Sequence, residues 1–215
     1  MVVGLPNRFE LPSNEKIEYY AFVDAAGGVG GGSMVLAIAH AELTKDGEDY
    51  VIILDAIRER ARFNPEEYVA ELCQLLAAFG IGAVVGDAWG SQFVREQFEK
   101  RGVKYQLVAD VDEEWKAKTD LYRQLIPLLN SPGRLELLDH QKMVAQFVSL
   151  ERKTTRGSNR DSIDHAPGGH DDIANAVAGA LLLAGKRYAV GGVWDRFAEN
   201  CDALMGRMYG GITVH

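Results

Sequence analysis

Cysteine is scarce in this sequence, and long apolar runs are missing from it. Only Cys73 and Cys201 occur among the 215 residues, and the apolar helical pattern around Cys73 favours a buried free thiol over a disulfide. The apolar runs are too short and too often interrupted by charge to span a bilayer, and residues 1–16 lack the basic start and apolar stretch of a secretory signal. We therefore expect an intracellular protein in a reducing setting, with no membrane partner.

Positive charge is also in short supply. The formal net charge is −8, whereas nucleic-acid-binding proteins usually present a basic face. Bound cations can reverse the potential of an acidic site, so the charge balance alone does not exclude a DNA substrate. Basic residues are concentrated in two stretches: Arg58, Arg60 and Arg62 in the first, and Arg152, Lys153, Arg156 and Arg160 in the second. The second stretch is the better candidate for contact with phosphates, because Glu59 interrupts the first.

Apolar periodicity divides the chain into strands and helices. Three strands joined by short turns come first and predict an antiparallel meander, and alternating helices and strands follow. The predicted strands are Ile17–Asp24, Ser33–Leu43, Tyr50–Ile57, Ile81–Gly86, Lys104–Val108 and Leu135–Leu138; the predicted helices are Pro65–Phe79, Ser91–Arg101, Trp115–Asn130, Lys142–Leu150 and Asp171–Ala184. This order predicts an α/β fold, a ribonuclease-H-like mixed sheet (three antiparallel strands, then parallel strands) with helices on both faces.

Composition suggests where this domain begins and ends. Residues 1–16 contain two prolines and few periodic apolar residues, and we interpret them as a lead-in or a former interdomain linker. Residues 17–184 are expected to form the domain, with an exposed basic hairpin or loop at 151–168. Residues 185–215 are rich in glycine and carry scattered aromatic residues, so we expect a C-terminal extension there.

Acidic residues occur at the ends of predicted elements. Asp24 ends the first strand in YYAFVDAAGG, Asp87 follows the fourth strand in AVVGDAWG, and Asp171 and Asp172 open the last helix in GGHDDIANA. Each acid alone could cap a turn or a helix. In the predicted fold, however, the first and fourth strands are parallel neighbours, so Asp24 and Asp87 would lie at the same end of the sheet. Three such acidic positions favour a site for hard divalent cations. Helical phase predicts that Asp172 leans toward the sheet and that Asp171 points farther out.

The chain resembles the nuclease domain of the large terminase subunit of tailed bacteriophages. The most specific segments are KTDLYRQLIPLLNSPGRLELLD and LERKTTRGSNRDSIDHAPGGHDDIANA, and FVDAAGG and VVGDAWG support them. The resemblance implies a ribonuclease-H-like endonuclease, close to Holliday-junction resolvases, that cuts concatemeric double-stranded viral DNA during packaging. It also implies two Mg²⁺ or Mn²⁺ ions, bound by Asp24, Asp87, Asp171 and Asp172 and acting by two-metal hydrolysis.

Further expectations follow from the same resemblance. Arg152, Lys153, Arg156 and Arg160 would contact DNA phosphates. The partners would be an N-terminal packaging ATPase domain in the full-length protein, the portal and the small terminase subunit, and the setting would be the host cytoplasm. One departure is large, because the sequence has no GxxxxGK[ST] phosphate loop. The resemblance therefore implies a nuclease domain without the ATPase.

Two alternatives of other classes stay open at the sequence level. GGVGGGS could cradle phosphates in an actin-like or sugar-kinase-like nucleotide-binding domain, which ATP hydrolysis would reveal. The tail from Lys186 to His215, with Trp194, Phe197 and Tyr209, could instead serve a non-catalytic docking module. In that case, replacement of Asp24 would change no activity. His165 and His170 are interpreted as loop histidines rather than catalytic groups.

Overall fold

The computed structural model describes residues 2–3, 9–26, 32–47, 49–87, 91–154 and 161–189. The strands are β1 Val2–Val3, β2 Tyr20–Asp24, β3 Ser33–Leu43, β4 Tyr50–Ala61, β5 Ala83–Gly86, β6 Lys104–Leu107, β7 Leu135–Leu138, β8 Leu150–Thr154 and β9 Asp161–His165. The helices are α1 Pro65–Ala78, α2 Ser91–Glu99, α3 Val108–Val111, α4 Lys118–Leu129, α5 Gln141–Val148 and α6 Asp172–Ala189.

Seven strands form a mixed sheet in the order β1-β7-β4-β3-β2-β5-β6. The meander of β2, β3 and β4 is antiparallel, whereas β5 runs parallel to β2 and β6 runs parallel to β5. On the other side, β7 runs parallel to β4, and β1 runs parallel to β7. The predicted ribonuclease-H-like mixed sheet is confirmed, and β2 lies between β3 and β5 as expected.

Helices cover both faces of this sheet, each over its own apolar core. On one face α4, α5 and α6 pack over β2, β3 and β4, with Trp115 and Tyr122 among the largest buried side chains. On the other face α1 and α2 pack over the same strands and β5, with Tyr68 and Phe98 buried beneath them. The two cores sandwich the sheet and fix the ends of its central strands.

Helix α6 lies unusually close to the sheet. The apolar residues from Ile173 to Ala184 are buried, and many of them are alanine. At Gly179 a Cβ atom would lie 2.2 Å from Cδ2 of Phe22, a distance that real side chains do not reach. Glycine at this position therefore allows α6 to pack directly on β2, the strand that ends at Asp24.

Several element boundaries differ from the predictions. Strand β4 continues to Ala61 instead of ending at Ile57, because Arg58, Glu59 and Arg60 stay paired with β3 despite their charge. Helix α4 begins at Lys118 rather than at Trp115, because the Asp120 carboxylate accepts hydrogen bonds from the main-chain N–H groups of residues 116 and 117. Helix α6 runs beyond Ala184 to Ala189.

Two short elements were not predicted, and the predicted hairpin or loop proves to contain two strands. Strand β1 lies within the expected lead-in, and helix α3 follows β6. The predicted hairpin or loop at 151–168 contains a two-stranded antiparallel sheet of β8 and β9, separate from the main sheet. Within the described residues, no helix is both long and apolar enough to cross a membrane.

Candidate functional site

Asp24 and Asp87 lie side by side at one end of the sheet. Val23 of β2 pairs with Gly86 of β5. Asp24 directly follows Val23, and Asp87 directly follows Gly86. A Cβ atom on Gly86 would lie 2.2 Å from the hydroxyl oxygen of Tyr105, so only glycine leaves room for that tyrosine. The Tyr105 hydroxyl donates to the main-chain carbonyl of Asp87 at 3.1 Å. The position of Asp87 is therefore set by both neighbouring strands.

Asp171 directly precedes α6 and is the most buried of the four predicted acids, at 6% exposure. Its Oδ2 accepts hydrogen bonds from the Lys118 ammonium at 3.0 Å and from the Tyr122 hydroxyl at 3.0 Å. The expectation from helical phase that Asp171 points outward is wrong. The phase rule fails because Asp171 lies before the helix, where its side chain turns toward α4.

Asp172 begins α6 and faces the strands of the sheet. Its Oδ2 accepts a hydrogen bond from the main-chain N–H of Ser33, the first residue of β3, at 2.9 Å. The side chain is partly exposed. Asp172 is therefore oriented by the strand next to β2, while part of the carboxylate faces the solvent.

Asn175 connects α6 to the end of β2. Its Nδ2 donates to Oδ2 of Asp24 at 3.1 Å. The side-chain oxygen of Asn175 is buried and has no hydrogen-bond partner among the described residues. A buried polar atom of this kind usually has a partner, so an oxygen ligand is available next to the acidic residues.

The charge balance in this region strongly disfavours an ionised Asp24. Burial raises the pKa of the Asp24 carboxyl well above its usual range, and the charges of Asp87, Asp172 and Asp171 raise it further, although the hydrogen bond from Asn175 lowers it. A cation at this place would reverse the effect. The donor set, which consists of carboxylate and amide oxygens, suits Mg²⁺ or Mn²⁺.

Lys118 supplies a positive charge at the edge of the acidic group. Its ammonium lies 2.6 Å from Oδ1 of Asp164 and 3.0 Å from Oδ2 of Asp171. Burial lowers the pKa of Lys118, but the hydrogen bonds to Asp164 and Asp171 outweigh it and raise that pKa above the ordinary value. Burial raises the pKa of the Asp164 carboxyl, but the hydrogen bond from Lys118 and that from the main-chain N–H of His165 outweigh burial and lower this pKa below its ordinary value. The pair is therefore charged at neutral pH.

One cleft contains all four predicted acids. Its volume is about 660 Å³. The lining also includes Lys118, His165 and Asn175, and its wall is formed by residues 107–109 and 115–117. Four distant parts of the sequence therefore meet in a single open cleft that is large enough to admit part of a substrate.

The two predicted loop histidines differ in position. His165 ends β9 and lines the cleft, and its Nδ1 lies 2.8 Å from the carbonyl oxygen of Ala166, which fits Nδ1–H as the donor. His170 is exposed and is absent from the lining of the cleft. His165 was expected to be a loop histidine, but its place in the cleft makes it a candidate for contact with substrate, whereas His170 fits the interpretation as a loop residue.

Two of the four predicted DNA-contacting residues lie on strand β8 of the hairpin. Arg152 and Lys153 are exposed on β8, and Arg156 and Arg160 fall outside the described residues. In the other basic stretch, Arg58 forms an ion pair with Glu10, and Arg60 pairs with Glu71 at 2.9 Å. Ion pairing does not separate the two basic stretches, because Lys153 also pairs with Glu151. The β8–β9 hairpin is the better placed for contact with DNA because β9 leads directly into the cleft at His165.

Sequence reasoning missed four residues of the site: Lys118, Asn175, Tyr105 and Tyr122. One signal was present for Asn175, because an amide at this point of an otherwise apolar helix has no packing reason. It lies one turn after Asp171 and Asp172, on the helix face that carries the acids. No comparable signal marked Lys118, because the turn before α4 sets its direction.

Comparison with known proteins supports the fold assignment. No protein-family model matches the sequence, and no curated protein matches it. Among solved structures, the large terminase nuclease of the thermophilic phage G20c with bound magnesium is similar, with a TM-score of 0.62 and 17% identity over 84% of this chain and 92% of that chain.

Two further solved structures are similar at comparable identity. The HK97 bacteriophage large terminase has a TM-score of 0.57 and 16% identity over 80% of this chain, which spans 40% of that chain. A mutant nuclease domain of the large terminase subunit of bacterial virus Sf6, with manganese and beta-thujaplicinol, has a TM-score of 0.53 and 13% identity over 77% of this chain and 86% of that chain. The resemblance to phage large terminase nucleases is confirmed at the level of the fold.

Proposed function

We propose that this chain is a metal-dependent endonuclease domain that cuts double-stranded DNA during phage genome packaging. The observation that carries the proposal is the meeting of Asp24, Asp87, Asp171 and Asp172 in one cleft. Carboxylates so close together repel one another, and a cation relieves that repulsion. The similarity of the fold to terminase nucleases that contain magnesium or manganese adds support.

The donor set fits two divalent cations, Mg²⁺ or Mn²⁺. Asp24, Asp87 and Asp172 offer carboxylate oxygens, and Asp171 adds a fourth carboxylate from the buried side. Bound there, the cations would supply an activated water and stabilisation of the leaving oxygen of a phosphodiester. Asp24 is the best candidate to contact both ions, because it lies on the central strand between the other groups.

The remaining residues of the site orient these ligands. Asn175 holds Asp24 through a hydrogen bond, and the main-chain N–H of Ser33 holds Asp172. Lys118 and Tyr122 hold Asp171. These three carboxylates thus keep one orientation before substrate arrives, so little of the binding energy is lost to reorganisation.

DNA would reach the cleft along the basic hairpin. Arg152 and Lys153 on β8, together with Arg156 and Arg160 in the segment between β8 and β9, would contact phosphates. Such contacts give affinity without reading sequence. They also offset the repulsion between DNA and a chain whose net charge is −8.

The proposed role also determines which partners the protein would meet. The substrate would be concatemeric viral DNA in the cytoplasm of the infected host cell. A packaging ATPase domain would precede this domain in the full-length protein, and the portal and small terminase subunit would join the assembly. These partners are proposed from the family resemblance.

Cleavage of supercoiled plasmid tests the proposal. The chain is expected to nick and linearise plasmid in Mn²⁺ or Mg²⁺ and to be inactive in EDTA, and Asp24→Asn is expected to abolish cutting. Asp46→Asn is the matched control, because Asp46 lies in the turn at the far end of β3 from Ser33. Failure of the folded chain to cut in high Mn²⁺ would contradict an independently active nuclease.

The same samples distinguish the alternatives. Hydrolysis of ATP, or stabilisation by ATP, would support the nucleotide-binding domain; the glycine-rich segment that this function needs lies largely outside the described residues, at 27–31. Retention of plasmid cutting by Asp24→Asn would refute the proposed site. The aromatic residues on which the docking module depends, Trp194, Phe197 and Tyr209, also lie outside the described residues.

A further inference from the structure

Lys118 stands apart from the other lysines of the described residues by its position between Asp171 of the cleft and Asp164 of the hairpin. Its ammonium contacts Oδ1 of Asp164 at 2.6 Å and both carboxylate oxygens of Asp171, at 3.3 and 3.0 Å. The oxygen of Asp164 and the oxygen of Asp171 also lie near His165, in a group whose ligand atoms are within 4.8 Å of one another. The Lys118 ammonium therefore offsets negative charge on both carboxylates.

The start of α4 contacts both the β8–β9 hairpin and Asp171, the residue that precedes α6. Thr119 exchanges hydrogen bonds with the main chain of Ile163 on β9, at 3.1 and 3.3 Å. One turn farther along α4, the Tyr122 hydroxyl donates to Asp171. Lys118, Thr119 and Tyr122 thus connect the basic hairpin to the carboxylate that precedes α6.

The chain segment before Lys118 is firmly anchored. The Trp115 ring is buried, and its Nε1–H donates to Oε1 of Gln124 at 2.8 Å. The Lys186 ammonium of α6 lies 4.4 Å from the centroid of that ring and 2.6 Å from Oδ2 of Asp112. Because both flanks are fixed, the ammonium of Lys118 is held in place relative to α6.

We propose that Lys118 is a positioning residue of the acidic cleft, which fixes Asp171 beside Asp24 and Asp172 and ties it to Asp164 on the hairpin. This inference rests on the proposed nuclease function for its effect on cleavage, but not for its effect on cation binding. Partners that orient the ligands of a metal site commonly change activity by about 10- to 100-fold when they are removed.

Two replacements of Lys118 test whether its charge, rather than the packing of its side chain, orients Asp171. In Lys118→Met the side chain keeps most of its length but loses its charge, so Asp171 loses its charged partner. Plasmid cleavage at saturating Mn²⁺ is expected to fall about 10- to 100-fold, and additional Mn²⁺ is not expected to restore it. Lys118→Arg is expected to recover part of the rate, because the guanidinium can still bridge two carboxylates.

Mn²⁺ binding without DNA gives an independent measurement. Removal of a positive charge beside a cation site favours the cation, so Lys118→Met is expected to bind Mn²⁺ at least as tightly as the parent in calorimetry. Tyr122→Phe, which removes one hydrogen bond to Asp171 without a change in charge, is expected to lower the cleavage rate and leave Mn²⁺ affinity unchanged. Tyr122→Phe also tests the positioning of Asp171 if Lys118→Met fails to fold.

Lys142→Met is the matched control, because Lys142 pairs with Glu59 and does not line the cleft. It is expected to match the parent in both assays. The proposal is overturned if Lys118→Met cuts within about twofold of the parent at equal folded fraction, or if it binds Mn²⁺ more weakly. If the parent binds Mn²⁺ but does not cut DNA, the nuclease function fails, whereas the Mn²⁺ comparison still decides the role of Lys118.

Discussion

Asp24 shows how a single residue can weaken a fold in order to build a site. It is placed among apolar strands, faces other carboxylates, and receives one hydrogen bond from Asn175. Such an arrangement opposes ionisation, so ionisation of Asp24 in the metal-free protein lowers the stability of the fold. A ligand that binds only the folded state returns that stability.

The pH dependence of stability tests this account. The folded-state pKa of Asp24 lies well above the usual value, so its ionisation lowers the free energy of unfolding as pH rises through that folded pKa. Metal-free Asp24→Asn keeps the acceptor for Asn175 without the charge. We expect it to be more stable than the parent at pH 8 in urea titrations, with the difference narrowing toward pH 5. A difference that stays constant or widens on acidification would contradict the account.

At the scale of elements, the contact between α6 and β2 sets the distance between the acids. Gly179→Ala places a methyl group against the Phe22 ring. Overpacking of this kind costs about 1–3 kcal/mol, which exceeds the roughly 1 kcal/mol that alanine gains over glycine in a helix. We therefore expect a lower free energy of unfolding in chemical denaturation.

A double-mutant cycle locates the cause of that loss. Phe22→Leu should make room for the added methyl, so the combined variant is expected to be more stable than the sum of the single changes predicts. Gly82→Ala is the control, because a Cβ atom there has nothing within 4 Å. Additive effects of Phe22→Leu and Gly179→Ala would refute the proposed clash.

The β8–β9 hairpin is the element proposed to meet DNA. Removal of Arg152 or Lys153 should weaken binding to all duplex sequences alike, because phosphate contacts carry no sequence information. In fluorescence anisotropy with Ca²⁺ in place of Mn²⁺, the slope of log affinity against log salt should fall in magnitude by about 0.9 for each phosphate that is no longer neutralised. Lys45→Ala, beyond the far end of β3, should leave that slope unchanged. An unchanged slope in both hairpin variants would remove the hairpin from the interface.

Prediction from sequence succeeded where a repeating pattern fixes the geometry. Parallel neighbours bring the ends of β2 and β5 together, so Asp24 and Asp87 could be paired once a ribonuclease-H-like fold was inferred. Prediction failed where a segment outside helices and strands determines which way a side chain points. Asp171 precedes the helical phase that was applied to it, and Lys118 enters the cleft because the turn at residues 112–117 aims it there.

At the scale of the whole molecule, acidic charge and the acidic cleft make cation binding a source of stability. At a cation concentration about 100 times the dissociation constant, binding adds about 2.7 kcal/mol, which for a chain of this size raises the melting temperature by about 5–10 °C. Differential scanning fluorimetry with Mn²⁺, Mg²⁺ and EDTA measures the effect. Asp24→Asn should show a smaller rise, and an equal rise in both proteins would place the bound cation elsewhere.

The partners in the cleft are widely separated along the chain: Asp24 and Asn175 are 151 positions apart. During synthesis, β2 emerges long before α6, so the contact between Asp24 and Asn175 cannot form until most of the chain has been made. A growing chain that has completed the meander therefore carries Asp24 without the helix that completes its surroundings. Under the proposed function, cutting ability would then arise only when the last helix docks.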